Sequence, residues 1–252
     1  MIPNLSIPSI NVFGLFEIHF VAICVILAII TACELSDRRA KQIGLNRKII
    51  VDGILWILIA GVFGAHWVLV ASEHPEQIFK NPIILLYFWK GISSYGAFVG
   101  VALAAIIYFR IKQVNFLTYL EALLFGFVPA WIIARLACTI AFDHPGLASD
   151  FFLAMQDNSG IVRHNLGFYE MLLTIFITII LYRLRNFRPF DGFHIVLIIL
   201  LYTPSRFFLD TLRITDNAFS GFTVGQYFSI LFFSLSLIFI FYQFNFKKQR
   251  EI

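Results

Sequence analysis

Charge is scarce in this chain. Asp, Glu, Lys and Arg make up 13% of its 252 residues, where soluble domains usually carry about 25%. That supply cannot cover a water-soluble surface of ordinary area, which excludes a soluble globular domain, a disordered chain and a nucleic-acid-binding module. Cysteine is thin as well. Cys24, Cys33 and Cys138 are odd in number and sit in apolar stretches, which argues against a disulfide framework. CxxC and H-x3-H pairs are absent, and His74, His164 and His194 are dispersed, so no metal site and no cofactor are expected. Residues 1–17 hold no Lys or Arg but do hold Glu17. The basic opening of a signal peptide is therefore missing, and the first apolar run reads as a retained helix. No internal repeat, low-complexity tract or long polar divider is visible, so 1–252 is expected to form a single integral-membrane domain.

What the chain has is apolar length. It is 60% hydrophobic and 17% aromatic, with 30 Phe and a mean hydropathy of +0.84. A hydrocarbon core about 30 Å thick needs about 20 apolar residues per helix. Seven stretches qualify: 15–34, 49–71, 92–110, 117–142, 167–185, 192–211 and 222–244. Basic residues cluster in alternate connections: Arg38, Arg39, Lys41, Arg47 and Lys48; Arg110 and Lys112; Arg183, Arg185 and Arg188; Lys247, Lys248 and Arg250. These are thirteen of the 19, and the positive-inside rule makes their side cytoplasmic. The expectation is an all-α polytopic membrane helix bundle of seven transmembrane helices, with the N-terminus outside and the C-terminus cytoplasmic. The net charge of +4 then reports orientation before it reports an anionic partner.

Orientation does not explain Lys80, Lys90, Arg135, Arg163, Arg206 and Arg213, which fall on the outer side or within a span. A charge inside the bilayer costs about 3 kcal/mol or far more, so it faces protein or water and serves a purpose. At about 1.5 Å per residue, Arg135 lies roughly 10 Å below the outer end of the fourth span. Arg206 falls in the outer third of the sixth, with Arg213 just above it. Tyr95, Glu170, His66, Glu17 and His19 gather at similar height. Tyr202, Arg206, Asp210 and Arg213 recur at +4, +4 and +3, which puts them on one helix face. Trp131, Arg135 and Cys138 share a face of the fourth span, and Gly96, Gly100 and Ala104 give the third a close-approach face. Asp52 reads as a cap or dipole partner at the start of the second span. Guanidinium groups pair bidentately with phosphate, and a phospholipid headgroup is the anion found at that depth. An internal Arg–carboxylate network locking the helices is the alternative, and Arg206–Asp210 could form one within a single turn.

The motifs carry a resemblance. Arg206-Phe207-Phe208-Leu209-Asp210-Thr211-Leu212-Arg213, with Asp216 after it and Tyr202 four before, resembles the RFxxExxRxxD stretch of the prolipoprotein diacylglyceryl transferases. Val224-Gly225-Gln226 resembles the MGQ opening that family's last span, and His164 with Phe168-Tyr169-Glu170 resembles its HPxQLYE segment. Ala134-Arg135-Leu136-Ala137-Cys138, leading to Asp143-His144-Pro145-Gly146, is similar to the GRxGN signature and its downstream acid and glycine. Trp89-Lys90-Gly91 through Tyr95-Gly96 and Gly100 is similar to the WxGGxSxHGGxxG loop. The order is kept along nearly the whole chain. Departures are specific: Tyr95 stands for the His of the HGG loop, Cys138 for the Asn of GRxGN, Asp143 for Glu, His66 for the Arg ending the second span's GAR, and Gly167 for the Gln before LYE. A Tyr usual on the first span has no counterpart near Phe20.

The resemblance implies transfer of the diacylglyceryl group of phosphatidylglycerol to the cysteine thiol of a prolipoprotein lipobox, forming a thioether and releasing glycerol-1-phosphate. It implies catalytic positions at Arg135, Arg206, Tyr95, Tyr202 and Asp143, and substrate-binding positions at Arg213, Asp210, Glu170, Gly146, Gly96 and His66. Arg135 and Arg206 would hold the phosphate and stabilise the leaving oxygens, with Arg213 assisting or pairing with Asp210. The base is open among Tyr95, Tyr202, Asp143, Glu170 and His144. The partners implied are phosphatidylglycerol, a prolipoprotein signal peptide and the membrane, with no nucleic acid. The setting is the bacterial inner (cytoplasmic) membrane, with the site facing the extracytoplasmic leaflet. A relative that keeps the lipid-binding frame without activity is the alternative. An anion transporter is a third class, though one would place ionisable groups nearer mid-bilayer and often shows repeats.

Overall fold

A computed structural model describes residues 2–3, 7, 10–12, 16–88, 91, 93–214 and 221–250. Trp89, Lys90 and Asp216, and the side chains of Tyr95 and of 246–250, lie outside the described set. The chain forms two compact units, Met1–Glu34 with Leu124–Ile252, and Leu35–Leu123. The elements are β1 (Ile10–Val12), β2 (Phe16–Ile18), α1 (Phe20–Gln42), α2 (Arg47–Glu73), α3 (Pro75–Lys80), α4 (Ser94–Ile111), α5 (Phe116–Ala141), β3 (Pro145–Ala148), β4 (Met155–Gln156), β5 (Val162–Asn165), α6 (Leu166–Arg183), α7 (Phe193–Asp210) and α8 (Val224–Arg250).

The protein is a polytopic helical membrane protein. Among the described residues six helices, α1, α2, α5, α6, α7 and α8, are long and apolar enough to cross a membrane. The third expected span is α4, whose apolar stretch Gly96–Ile111 is shorter. The first span differs most from expectation. Residues 16–18 pair as a strand with 10–12, and the helix begins at Phe20 but runs on to Gln42 through Arg38, Arg39 and Lys41. Ala, Lys, Arg and Gln are strong helix formers, so the turn waits for Gly44, whose φ of 72° only glycine adopts at little cost. Asp52 also differs. Asn46 caps α2, its side chain accepting from the Lys48 N–H, which leaves Asp52 inside the helix.

In the unit Leu35–Leu123, α2 and α4 pack backbone to backbone. A Cβ on Gly64 would lie 2.8 Å from the Gly100 α-carbon, one on Gly100 would meet the Ala60 carbonyl, and one on Gly96 would meet the Gly64 carbonyl. Without a hydrophobic drive between helices in lipid, this closeness supplies the association energy. His66 is fully buried, with Nδ1 3.0 Å from the Gly91 carbonyl and Nε2 2.9 Å from that of Ile84. The Trp67 indole N–H donates to the Leu85 carbonyl. Together they tie the 3-10 turn Pro82–Leu86 to α2.

In the other unit, Phe125, Val128, Ile177 and Leu181 form a buried cluster, with Leu173, Tyr182, Ile198, Leu201 and Tyr202 packed on it. Pro129 lies inside α5 and removes the N–H that would have served the Phe125 carbonyl. The Tyr182 hydroxyl donates to that carbonyl at 3.0 Å instead. Between α5 and α6 the chain forms a small antiparallel sheet in the order β3-β5-β4, which hydropathy did not announce. Its two outer strands are met by single bridges, Ile2 on Met155 and Arg213 on Gly146. The β4–β5 turn closes on Asp157. Its Oδ1 accepts from the Ser159 and Ile161 N–H groups and the Ser159 hydroxyl, and its Oδ2 from Arg163 Nε at 2.8 Å. Those bonds, the Ser159 hydroxyl first, hold the Asp157 carboxyl down at about 2. Arg163, one of the basic residues that orientation does not explain, is paired within its own turn.

Candidate functional site

Arg135, Arg206 and Tyr202 converge on one carboxylate, that of Glu170. Glu170 lies on the second turn of α6, which Asn165 opens as N-cap by accepting from the Phe168 N–H. The Glu170 side chain is fully buried. Arg135 Nη2 from α5 reaches its Oε2 at 2.6 Å, Arg206 Nη1 from α7 pairs with Oε1, and the Tyr202 hydroxyl donates to Oε2 at 3.4 Å. Arg206 Nη2 also reaches Asp210 Oδ1 at 3.0 Å, and Arg213 Nε stands 3.6 Å from the same oxygen. The +4, +4, +3 spacing thus gives one polar face at the end of α7. The Trp131 ring lies under Arg135, 5.4 Å from its guanidinium carbon, a cation–π distance.

Three guanidinium groups only 14–16% exposed would be very costly to desolvate alone. The two buried carboxylates offset part of that cost. The neutralisation is incomplete in hydrogen bonds: Arg135 Nε is buried and has no hydrogen-bond partner among the described residues. A buried donor in that state calls for an acceptor, and the chemistry of the donor calls for an anion.

Neighbouring elements hold the cluster in place. The Thr223 N–H donates to Gln226 Oε1 at 2.9 Å while the Gln226 N–H donates to Thr223 Oγ1 at 3.1 Å, the reciprocal capping box that opens a helix. The Thr223 hydroxyl donates to Asp210 Oδ2 at 3.0 Å, and Gln226 Nε2 to the Phe207 carbonyl. Between them Gly225 leaves room, since a Cβ there would collide with the Asp210 carboxylate. Gly146 passes between β5 and the end of α7, where a Cβ would lie 2.8 Å from that of His164 and 3.1 Å from the Leu212 carbonyl. At Gly167 the long Gln of the resembling motif would meet Cys138, 3.1 Å from where a Cβ begins.

A second cluster adjoins the first. Arg135 Nη1 donates to Cys138 Sγ at 3.8 Å. After α5 ends at Ala141, Phe142 takes a φ of 51°, an uncommon left-handed conformation for a side chain of that size. The turn carries Asp143 and His144 back beside Cys138. His144 Nδ1 pairs with Asp143 Oδ1, and the Cys138, Asp143 and His144 donor atoms lie within 4.8 Å of one another. Sulfur, oxygen and nitrogen are a set a transition metal could use, but the Arg135 cation on the sulfur works against adding a divalent charge. Burial acts to raise Asp143. The His144 hydrogen bond and charge, with contributions from Cys138 and Arg135, outweigh it and hold the carboxyl below its ordinary range. The Asp143 hydrogen bond, then that of Cys138, pushes His144 up to about 9 against the lowering effect of burial.

Arg135, Arg206, Tyr202, Glu170, Asp210 and Arg213 are therefore one network, with Asp143 reached from Arg135 through Cys138 and Gly146 bridged to Arg213. Tyr95, Gly96 and His66 belong to the other unit: Tyr95 on the first turn of α4, Gly96 against α2, and His66 on the carbonyls of Gly91 and Ile84. The sequence did not show that Glu170 takes both arginines. Its offset from either basic residue follows no helical period, because the contact joins separate helices. The capping box has a sequence signature, Thr223-x-x-Gln226, whereas Cys138–His144 has no recognised spacing.

The family model for prolipoprotein diacylglyceryl transferase matches residues 8–242. The chain belongs to that family. Its match takes in every residue of the network. Among members of the prolipoprotein diacylglyceryl transferase family, the phosphatidylglycerol–prolipoprotein diacylglyceryl transferase of Campylobacter lari is 27% identical, covering 97% of this chain and 96% of its own. The enzyme of the same name from Campylobacter curvus is 29% identical over 94% of each. One from Clostridium perfringens is 28% identical over 86% of this chain and 87% of its own.

Proposed function

We propose that this family member is an active transferase that moves the diacylglyceryl group of phosphatidylglycerol to the lipobox cysteine of a prolipoprotein and releases glycerol-1-phosphate. The observation that carries the reading is the meeting of Arg135 and Arg206, from separate helices, on one carboxylate, with a buried Arg135 donor still unpartnered. Relatives bearing that activity in their names, aligned over most of both chains, support it.

In the proposed reaction the lipid phosphate lies against Arg135 and Arg206. As the incoming sulfur bonds to the glyceryl carbon, the bond from that carbon to the phosphate oxygen breaks and its electron pair stays on that oxygen. Guanidinium donors already in place stabilise the growing charge without reorganising. Arg213 and Asp210 set the Arg206 geometry, and Tyr202 supports the Glu170 end. Roles for Tyr95, Gly96 and His66 rest on their places in the motifs. The basic-residue pattern supports seven spans with the N-terminus outside and the arginines toward the extracytoplasmic leaflet; the lack of a long polar divider supports one domain over 1–252, and the family supports a bacterial inner-membrane location.

The test is transfer from labelled phosphatidylglycerol to a lipobox peptide. Arg135→Ala and Arg206→Ala, expressed at the parent level, are each expected to lower kcat by about 10²-fold or more, the usual loss on removing one preorganised donor. Parent-like rates in both variants would sink the assignment. Tyr95 and Cys138, standing where the resembling motifs carry His and Asn, favour a second reading, a lipid-binding relative without transfer. Lipid binding with no product from the intact protein would establish it.

A further inference from the structure

The second cluster suggests where the protons go. His144 sits in the turn that follows α5, three residues past its last residue Ala141 and six past Cys138. Its Nδ1 is committed to Asp143 Oδ1, and Cys138 also hydrogen-bonds the ring; Nε2 is the nitrogen that would exchange a proton. The imidazole is 26% exposed and the carboxylate 48%, so the pair is open to an incoming group while Arg135 and Glu170 behind it are closed. Cys138 links the two clusters, its sulfur facing the pair on one side and accepting from Arg135 on the other. The backbone of the turn is tied by the Leu166 N–H on the His144 carbonyl. Asp143 stands where a carboxylate is kept beside a histidine in acid–base sites, fixing the ring and stabilising its protonated form.

We propose that His144, held by Asp143, is the general acid of the transfer, protonating the phosphate oxygen that leaves the glyceryl carbon beside Arg135. This rests on the functional reading above. The balance is complete. The carbon–sulfur bond forms as the carbon–oxygen bond breaks, and the bond pair goes to the phosphate oxygen. The imidazolium gives that oxygen its proton, and the proton of the incoming thiol recharges the ring. Net, the thiol proton ends on glycerol phosphate. At neutral pH the resting ring is in the acid form, because Asp143 and Cys138 raise it to about 9. The titratable or charged groups facing it are those two and, beyond them, Arg135. The histidine of the resembling HGG loop is Tyr95 here, and His144 is a histidine that the resembling motifs do not account for.

The experiment follows the full chain in lipid discs. For the parent, the transfer rate is expected to fall through an alkaline limb near pH 9. His144→Gln is expected to lose about 10²-fold or more in kcat, with KM for phosphatidylglycerol within about 2-fold and the limb gone. Asp143→Asn, which keeps the ring, moves the limb downward toward the ordinary histidine value of 6.5. The His144 ring signal, followed by nitrogen NMR, titrates near 9 in the parent and lower in Asp143→Asn. That readout stands whether or not transfer is seen, and it decides the matter if His144→Gln fails to fold. A parent ring titrating near 6.5, a limb unmoved in Asp143→Asn, or His144→Gln with parent kcat would each overturn the proposal. Activity lost to a chelator and restored by zinc would overturn it too, making the cluster a metal centre.

Discussion

Glu170 holds the most consequential position at the scale of single residues. It accepts two guanidinium groups and a phenol with one fully buried carboxylate. Replacing one partner of a buried pair leaves the other charges uncompensated and typically costs about 3–5 kcal/mol. Glu170→Gln is therefore expected to lower the thermal midpoint in detergent sharply. Added phosphatidylglycerol should raise the variant's midpoint more than the parent's, since a phosphate can take the seat the carboxylate left. A midpoint unchanged from the parent would show that the arginines find their stability elsewhere. Spacing in the sequence displayed Tyr202, Arg206, Asp210 and Arg213 as one face, and it put Arg135 with Cys138. It could not display Glu170 between them, because local periodicity contains no information about which face of one helix meets which face of another.

Among the elements, α5 shows how a helix carries an interior proline without losing its line. The carbonyl that Pro129 leaves unserved is taken by Tyr182 of α6, so the break in one helix becomes a bond to the next. Tyr182→Phe keeps the ring contacts and removes only the donor. An unsatisfied buried carbonyl costs about 1–3 kcal/mol, and the thermal midpoint is expected to fall accordingly while Phe125 packing is retained. A variant as stable as the parent would mean water serves that carbonyl. Helix boundaries were largely legible from hydropathy: α5, α6 and α7 end within two residues of the expected limits. The β3-β5-β4 sheet was not. Its strands are four residues or shorter, too brief for alternation to stand out, and its register is set by Asp157 and Gly160 in the turn.

For the whole molecule, the proposed orientation has a direct check. Alkaline phosphatase fused after residue 160 is expected to be active, because the proposed orientation puts that loop outside. Fusions after residue 190 or at the C-terminus are expected to be inactive. The reverse pattern would invert the topology and place the arginine network on the cytoplasmic side. The same network has a kinetic implication. A receptor for a scarce metabolite gains from gripping tightly, but a membrane enzyme is immersed in its lipid substrate and gains nothing from a deep well. In the proposed site Glu170 already occupies the guanidinium groups, so every arriving headgroup would compete with a tethered rival that never diffuses away. That rival weakens retention of substrate and of the phosphorylated by-product alike, so the resident carboxylate would act as a built-in ejector, trading grip for turnover.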